Sequence, residues 1–244
     1  MTTLDSVPAR GLANLRDIGG LPTEAGGTTR RGLLYRSDVP LAGDAPPDGL
    51  EWPPRTVVDL RSAHEQERAP GPFADAGVHL LPLLDAADPA KLGRPSEHGG
   101  IDAFMTKLYQ EMITHSATLI ARLPAIAADA EGPLLIHCTA GRDRTGIAVA
   151  VLLRSAGVTR DAVMADYVAT SANQEALFPR LAANGFFPKR QASAQGARDF
   201  GDTAVAMERV LDRLAEQPGG IRGWLVAHGA DEAAIDAWAQ RVTE

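Results

Sequence analysis

The stretch Leu134-Leu-Ile-His-Cys-Thr-Ala-Gly-Arg-Asp-Arg-Thr-Gly146 decides the reading of this chain. It opens as a short apolar run, 134–137, suited to a buried strand. It closes on Thr145, where an apolar helix is expected to run to about Ser155 and to stop at Gly157, a residue suited to the position just past a helix end. Between strand and helix stand Cys138, Gly141 and Arg144. Strand, loop and helix N-terminus in that order make an anion site. The loop amides converge, and the positive end of the helix faces the bound group. The same field favours the thiolate form of a cysteine placed there. A lone cysteine at a strand end is more often a core residue. The frame Cys138-x-x-Gly-x-x-Arg144-Thr-Gly146 argues otherwise. Gly141 lets successive N–H groups turn inward. Arg144 offers a planar fork for two phosphate oxygens. Thr145 has a hydroxyl to donate to the sulfur. The stretch reads as a phosphate cradle with a nucleophile at its floor.

Working outward, strands are expected at 33–36, 56–60 and 78–83, where apolar and β-branched residues cluster. Ser62-Ala-His-Glu65 matches a capping box and should open a short helix. Residues 40–54 and 85–100 are rich in turn formers and read as loops. Helical periodicity appears over 101–114, 116–128, 159–172, 174–183, 203–215, 221–228 and 231–242. Strands alternate with helices in the first 150 residues, and helices dominate afterwards. The expected fold is α/β: a short, mostly parallel central sheet flanked by helices on both faces, with a helix-rich C-terminal part. No linker splits it, so 1–244 is read as a single domain. Residues 1–13 are expected to form a loose N-terminal arm, and 184–201, which contain Lys189, Arg190 and Arg198, are expected to be an irregular segment and a candidate lid.

The net charge of −7 argues against general nucleic-acid binding, which needs a basic face. Any pull on an anionic substrate must then be local. One cysteine in 244 residues rules out an intrachain disulfide, so nothing marks an oxidising compartment. The start of the chain lacks the basic-then-apolar pattern of a signal peptide, and the run 147–153 is too short to span a bilayer. The expected location is cytoplasmic, with unconventional export left open and no integral membrane association. The six histidines are scattered and no CxxC pair occurs, so no metal site is expected. The oligomeric state leaves no mark in the sequence.

His137-Cys-x5-Arg144-Thr145 resembles the signature loop of the cysteine-dependent protein tyrosine phosphatase superfamily. Asn14-Leu-Arg-Asp-Ile-Gly-Gly20, Tyr35-Arg-Ser-Asp38 and Val58-Asp-Leu-Arg-Ser62 narrow the resemblance to the bacterial tyrosine/serine protein phosphatase family that includes the mycobacterial phosphatase B type. The matches run from about residue 12 to about 170. The resemblance implies a phosphatase acting on phosphotyrosine, with reach to phosphoserine/threonine or phosphoinositides, through a phosphocysteine on Cys138 and without metal or cofactor. Partners would be phosphorylated proteins or phosphoinositides. The amides of Thr139, Ala140, Gly141, Arg142, Asp143 and Arg144, with the Arg144 side chain, would hold the phosphate oxygens.

Two carboxylates compete for the general acid. The branch lacks the mobile Trp-Pro-Asp acid, and no such triplet occurs here, which favours Asp143 inside the loop. Asp85, on the loop after the 78–83 strand, is the alternative. Arg142 is either a rim cation that meets further phosphates or an exposed charge that only raises the local potential. His137 is expected to orient the loop rather than move protons. Arg16, Asp17, Asp59 and Arg61 are expected to form polar support beneath or beside it, the alternative being ordinary surface pairs. Two other functions stay open: a sulfurtransferase-like cysteine enzyme, and a non-catalytic phosphate-binding pseudophosphatase.

Overall fold

The computed structural model describes residues 11–45, 47–86, 92–187 and 203–244. The sheet is built from β1 (Arg16–Asp17), β2 (Leu34–Ser37), β3 (Thr56–Asp59), β4 (Gly77–Leu80) and β5 (Leu134–His137), in the order β1-β2-β5-β3-β4. β2, β5, β3 and β4 run parallel, and β1 adds an antiparallel edge. β5 is central. Leu34 and Thr56 both align with Leu134, and Ser37 and Asp59 both flank His137. Cys138 therefore emerges at the carboxyl edge of the sheet, between the ends of two neighbours. That edge is where ligands bind in open α/β sheets.

The helices are α1 (Ala63–Arg68), α2 (Leu83–Ala86), α3 (Ile101–His115), α4 (Ala117–Ile120), α5 (Leu123–Asp129), α6 (Asp143–Ser155), α7 (Arg160–Ala169), α8 (Gln174–Ala183), α9 (Ala204–Ala215), α10 (Gly220–Ala227) and α11 (Glu232–Val242), with short 3-10 turns at Pro95–His98 and Thr170–Asn173. α6 is apolar all round because it lies inside the molecule. Every residue from Arg144 to Leu153 is buried, and α5, α7, α9 and α10 surround it. Leu34, Val58, Leu134 and Ile136 of the sheet pack into the same core as α3 to α7. Each such side chain contributes roughly 1.5–3 kcal/mol by leaving water. The other face is clad more thinly. Tyr35, Val57 and Leu135 meet Leu15, Leu50, Trp52, Phe73 and Ala76, which lie outside helices. No helix among the described residues is long and apolar enough to cross a membrane.

Several boundaries move from those expected. The run at 78–83 is strand only through Leu80, and Leu83 starts α2 after Pro82. The 116–128 helix breaks at Ala121–Arg122, and Pro124 sits in the first turn of the next helix, where its missing N–H costs nothing. The strand β1 was not expected, because two residues carry no periodicity. The Ser62 capping box forms as expected: the Ser62 hydroxyl accepts from Glu65 N–H, and the Glu65 carboxylate accepts from Ser62 N–H. The core of the expected arm, residues 1–10, lies outside the described residues, as do Lys189, Arg190 and Arg198.

Candidate active site

The 138–142 loop is tied down from behind through its carbonyls. Thr139 C=O accepts from Val39 N–H at 3.0 Å. Asn14 Nδ2 donates to both Ala140 and Gly141 C=O at 3.1 Å, and Arg36 Nη2 donates to Gly141 C=O at 2.8 Å. Arg142 C=O accepts from Gly146 N–H in the first turn of α6. With the carbonyls turned outward, Gly141 N–H points to Cys138 Sγ at 3.2 Å. Gly141 holds φ +67, and a Cβ there would stand 2.3 Å from Ser37 O. The residue must therefore be glycine for both backbone conformation and space.

Beneath the loop lies a charged layer. Arg36, 1 % exposed, bridges Asp166 and Gly141 C=O. Arg16 reaches Asp166 through Nε at 2.6 Å and also bonds Asn14 and Thr170. Asn14 Oδ1 collects Arg16 and Asn173. Arg180 pins Asp38 at 2.8 Å, and Asp38 accepts from Asn14 N–H. Beside the loop, Arg61 forks onto Asp59 at 2.7–3.1 Å. The imidazole of His137 lies 3.9 Å from Asp59. Burial pushes the His137 pKa down and outweighs the pull of Asp59, which keeps the ring neutral.

Cys138 lies at the floor of a cavity of about 290 Å³. Thr139, Ala140, Arg142, Asp143, Arg144 and Glu65 line its polar end. Leu84, Met105, Leu108, Met112, Leu177, Phe178, Phe186 and Phe187 supply its apolar lining. Arg68, Gln174 and Asn184 complete the lining. The Arg144 fork is gripped by Glu65, Nη1 to Oε2 at 2.6 Å and Nη2 to Oε1 at 2.9 Å. Thr139 Oγ1 also donates to Glu65 Oε1. Burial works against the Glu65 carboxylate, but the hydrogen bonds and charge of Arg144 outweigh it and draw the pKa down to about 2. On the other side of the loop, Asp143 Oδ1 accepts from Tyr109 OH at 2.5 Å and from Arg142 Nε at 3.1 Å. Asp143 is the first residue of α6, where the helix dipole suits a carboxylate.

A profile described as tyrosine phosphatase family matches residues 7–244. The chain belongs to the tyrosine phosphatase family. It is 31 % identical over 200 residues to the triple specificity protein phosphatase PtpB of Mycobacterium tuberculosis, covering 70 % of this chain and 71 % of that one. It is 33 % identical over 202 residues to a Cupriavidus necator protein classed as a tyrosine-protein phosphatase, covering 72 % and 68 %. A tyrosine-protein phosphatase of Nostoc commune matches at 28 % over 189 residues, covering 73 % and 62 %.

In this tyrosine phosphatase the fold brings Cys138, Asp143 and Arg144 to one cavity, with His137, Asp59 and Arg61 beside the loop and Arg16 beneath it. Four expectations need correction. Asp17 does not support the loop; its carboxylate accepts from Gly19 and Gly32 N–H and shapes the turn between β1 and β2. Asp85 is exposed on α2, and its neighbour Leu84 faces the cavity instead. Arg142 is not a solvated rim charge. It is 6 % exposed and paired with Asp143. Burial opposes its charge, yet Asp143 and the two phenols beyond it raise its pKa. Thr145 Oγ1 is buried with no hydrogen-bond partner, so it does not donate to Cys138 Sγ here.

Sequence reasoning missed Glu65, Tyr109, Tyr167, Asp166 and the roles of Asn14 and Arg36. Glu65 was visible as the last residue of the capping box, which accounts for it locally. Tyr109 is one apolar position among six buried on α3, with nothing in the spacing to single it out. Among the described residues, no group of three or more His, Cys, Asp or Glu comes together as a metal-ligand set.

Proposed function

We propose that this chain hydrolyses phosphotyrosine monoesters through a phosphocysteine on Cys138. One observation carries the reading: the Cys138 thiol sits under a loop whose carbonyls are tied outward, at the foot of an apolar-walled cavity that also holds the Arg144 fork. In the first step the thiolate forms a bond to phosphorus as the bond to the ester oxygen breaks, and Asp143 gives that oxygen its proton. Water then attacks phosphorus, Asp143 takes the water proton, and the sulfur leaves with its electron pair. Inorganic phosphate and free Cys138 result. The loop amides and Arg144 meet the three equatorial oxygens, over which the charge of the transition state is spread.

The walls favour an aryl ester. Leu108, Met112, Leu177 and Phe178 are buried side chains that suit the face of a phenyl ring. An inositol ring would lose water from its hydroxyls wherever it met those four apolar side chains, and only Arg68, Gln174 and Asn184 among the outer lining could replace that water. The triple specificity named for the mycobacterial relative keeps phosphoserine, phosphothreonine and phosphoinositide esters in the comparison. The lone cysteine and the absence of any possible intrachain disulfide are in keeping with work in the cytoplasm.

A panel of phosphotyrosine peptide, phosphoserine and phosphothreonine peptides and phosphoinositide, run with wild type and Cys138→Ser, tests the proposal. Phosphotyrosine should be turned over with the highest kcat/KM, and the Cys138→Ser variant should bind it without turnover. Comparable activity in that variant sinks the mechanism. Sulfur transfer from thiosulfate to cyanide, or phosphopeptide binding without turnover in wild type, would establish one of the other two readings.

A further inference from the structure

Behind the candidate acid runs a file of buried hydroxyls. Tyr109 of α3 donates to Asp143 Oδ1 at 2.5 Å, and Tyr109 and Tyr167 OH lie 2.7 Å apart. Tyr167 of α7 is in turn bonded to Thr203 Oγ1. Tyr167 can reach this file because α6 carries Gly146, where a Cβ would stand 2.6 Å from its ring. Burial, reinforced by the Asp143 charge, holds the Tyr167 phenol up at about 12, and burial raises that of Tyr109 well above its ordinary value. Both stay protonated. Each hydroxyl has one proton to give. Tyr109 gives its proton to Asp143, so Tyr167 must give its own to Tyr109, and Thr203 to Tyr167. All three point toward the acid, and such a chain strengthens each bond in it.

Oδ1 of Asp143 thus accepts from two donors, Tyr109 OH and Arg142 Nε, while Oδ2 has no partner among the described residues. A proton on Oδ1 would compete with both donors and force three hydroxyls to turn round. A proton on Oδ2 disturbs nothing. We propose that Tyr109 is a positioning residue for the reaction: it holds the Asp143 carboxyl so that Oδ2 gives and regains the proton while the network behind Oδ1 stays fixed. This rests on Asp143 as the acid. It adds to that reading a reason why the carboxyl needs no rearrangement between the two steps, in which it first gives a proton to the ester oxygen and then takes one from water.

The test compares wild type, Tyr109→Phe, Asp143→Asn and the double variant on 4-nitrophenyl phosphate, a good leaving group, and phenyl phosphate, a poor one. Tyr109→Phe should lower kcat/KM for phenyl phosphate about 10-fold and for 4-nitrophenyl phosphate no more than about 3-fold, with KM nearly unchanged. In the Asp143→Asn background it should add nothing. An equal loss on both esters, or an undiminished loss in that background, overturns the proposal. If Asp143→Asn alone shows no dependence on leaving group, the acid assignment falls and this proposal with it. If Asp143→Asn shows that dependence and Tyr109→Phe does not, only the positioning role fails. Should Tyr109→Phe not fold, Tyr167→Phe removes the next hydroxyl and should reproduce the pattern at smaller size; an equal loss on both esters there overturns the positioning role in the same way.

Discussion

Glu65 and Arg144 meet fork to fork, with both η nitrogens of the arginine on the two carboxylate oxygens at 2.6 and 2.9 Å. The same carboxylate accepts the Ser62 N–H at 2.9 Å and so also closes the N-terminus of α1. One side chain therefore starts a helix and aims the arginine of the phosphate cradle. Glutamine at a capping-box third position can still reach back to the cap. Glu65→Gln should keep the α1 cap but give up the ion pair, which loosens Arg144 and lowers kcat/KM by about 10- to 100-fold, the worth of a hydrogen bond between charged groups. Ser62→Ala should do the reverse, costing about 1 kcal/mol of stability with little change in rate. Wild-type kinetics in Glu65→Gln would show that the latch is not what aims the guanidinium.

Gly141 stands against the backbone of Ser37 and Asp38, which is why the loop can be bound so closely from behind. Gly141→Ala should cost about 2–4 kcal/mol, combining a left-handed backbone penalty with overpacking. The displaced loop should lose about 100-fold or more in kcat/KM, as expected when reacting groups move by about 1 Å. Urea denaturation and steady-state kinetics measure the two effects. A stable, active Gly141→Ala would mean that the loop has room the structure denies it.

Arg36 and Arg16 share Asp166, but they are not equivalent. Arg36 is almost fully buried and also holds Gly141 C=O, whereas the Arg16 side chain is 19 % exposed. A buried charge left with no partner costs about 3–5 kcal/mol, but Arg16 still pairs Asp166 when Arg36 is removed, so the loss stays below that figure. Arg36→Met should show it by denaturant titration and, with Gly141 C=O left without its donor, also weaken inhibition by vanadate, an anion of the cradle. Arg16→Met should cost less. Equal effects would mean that burial does not separate the two.

Acid should destabilise the fold in two stages. The Glu65 pKa falls from 4.5 to about 2 on folding, so its contribution is complete above the unfolded value and is lost as the pH drops from about 4.5 toward 2. That contribution is on the order of 3 kcal/mol. His137 is buried neutral with its pKa lowered from 6.5, so its part of the stability is present above 6.5 and begins to fade below it, when the unfolded chain gains a proton that the folded one resists. Tm should therefore begin to fall below about pH 6.5 and fall again below about 4.5. Glu65→Gln should shrink the second stage and leave the first; Asp59 and Asp166 still contribute to the second, because their charged partners outweigh burial and hold them below their ordinary values too. A Tm that is constant between pH 7 and 5 would rule out the neutral buried imidazole.

By itself the sequence determined the central unit. Strand, loop and the start of the helix lie within 13 consecutive residues, 134–146, and their apolar spacing and glycine placement are local facts. The Cys138 and Arg144 assignments, the Ser62 cap and the mostly parallel sheet follow from that kind of information. Only the tertiary structure decided who partners whom. Glu65 is 79 residues from Arg144, Gly141 is 105 from Arg36, and Tyr109 is 34 from Asp143. No period or motif links positions so far apart. The tertiary structure also decided depth: Arg142 read as a rim charge and proved buried, while Asp85 read as a candidate acid and proved exposed, outside the cavity lining. Local patterns report which backbone groups bond along one segment. Side-chain partners and burial depend on which faces of separate segments are packed together, and that is settled only when the whole core closes around α6.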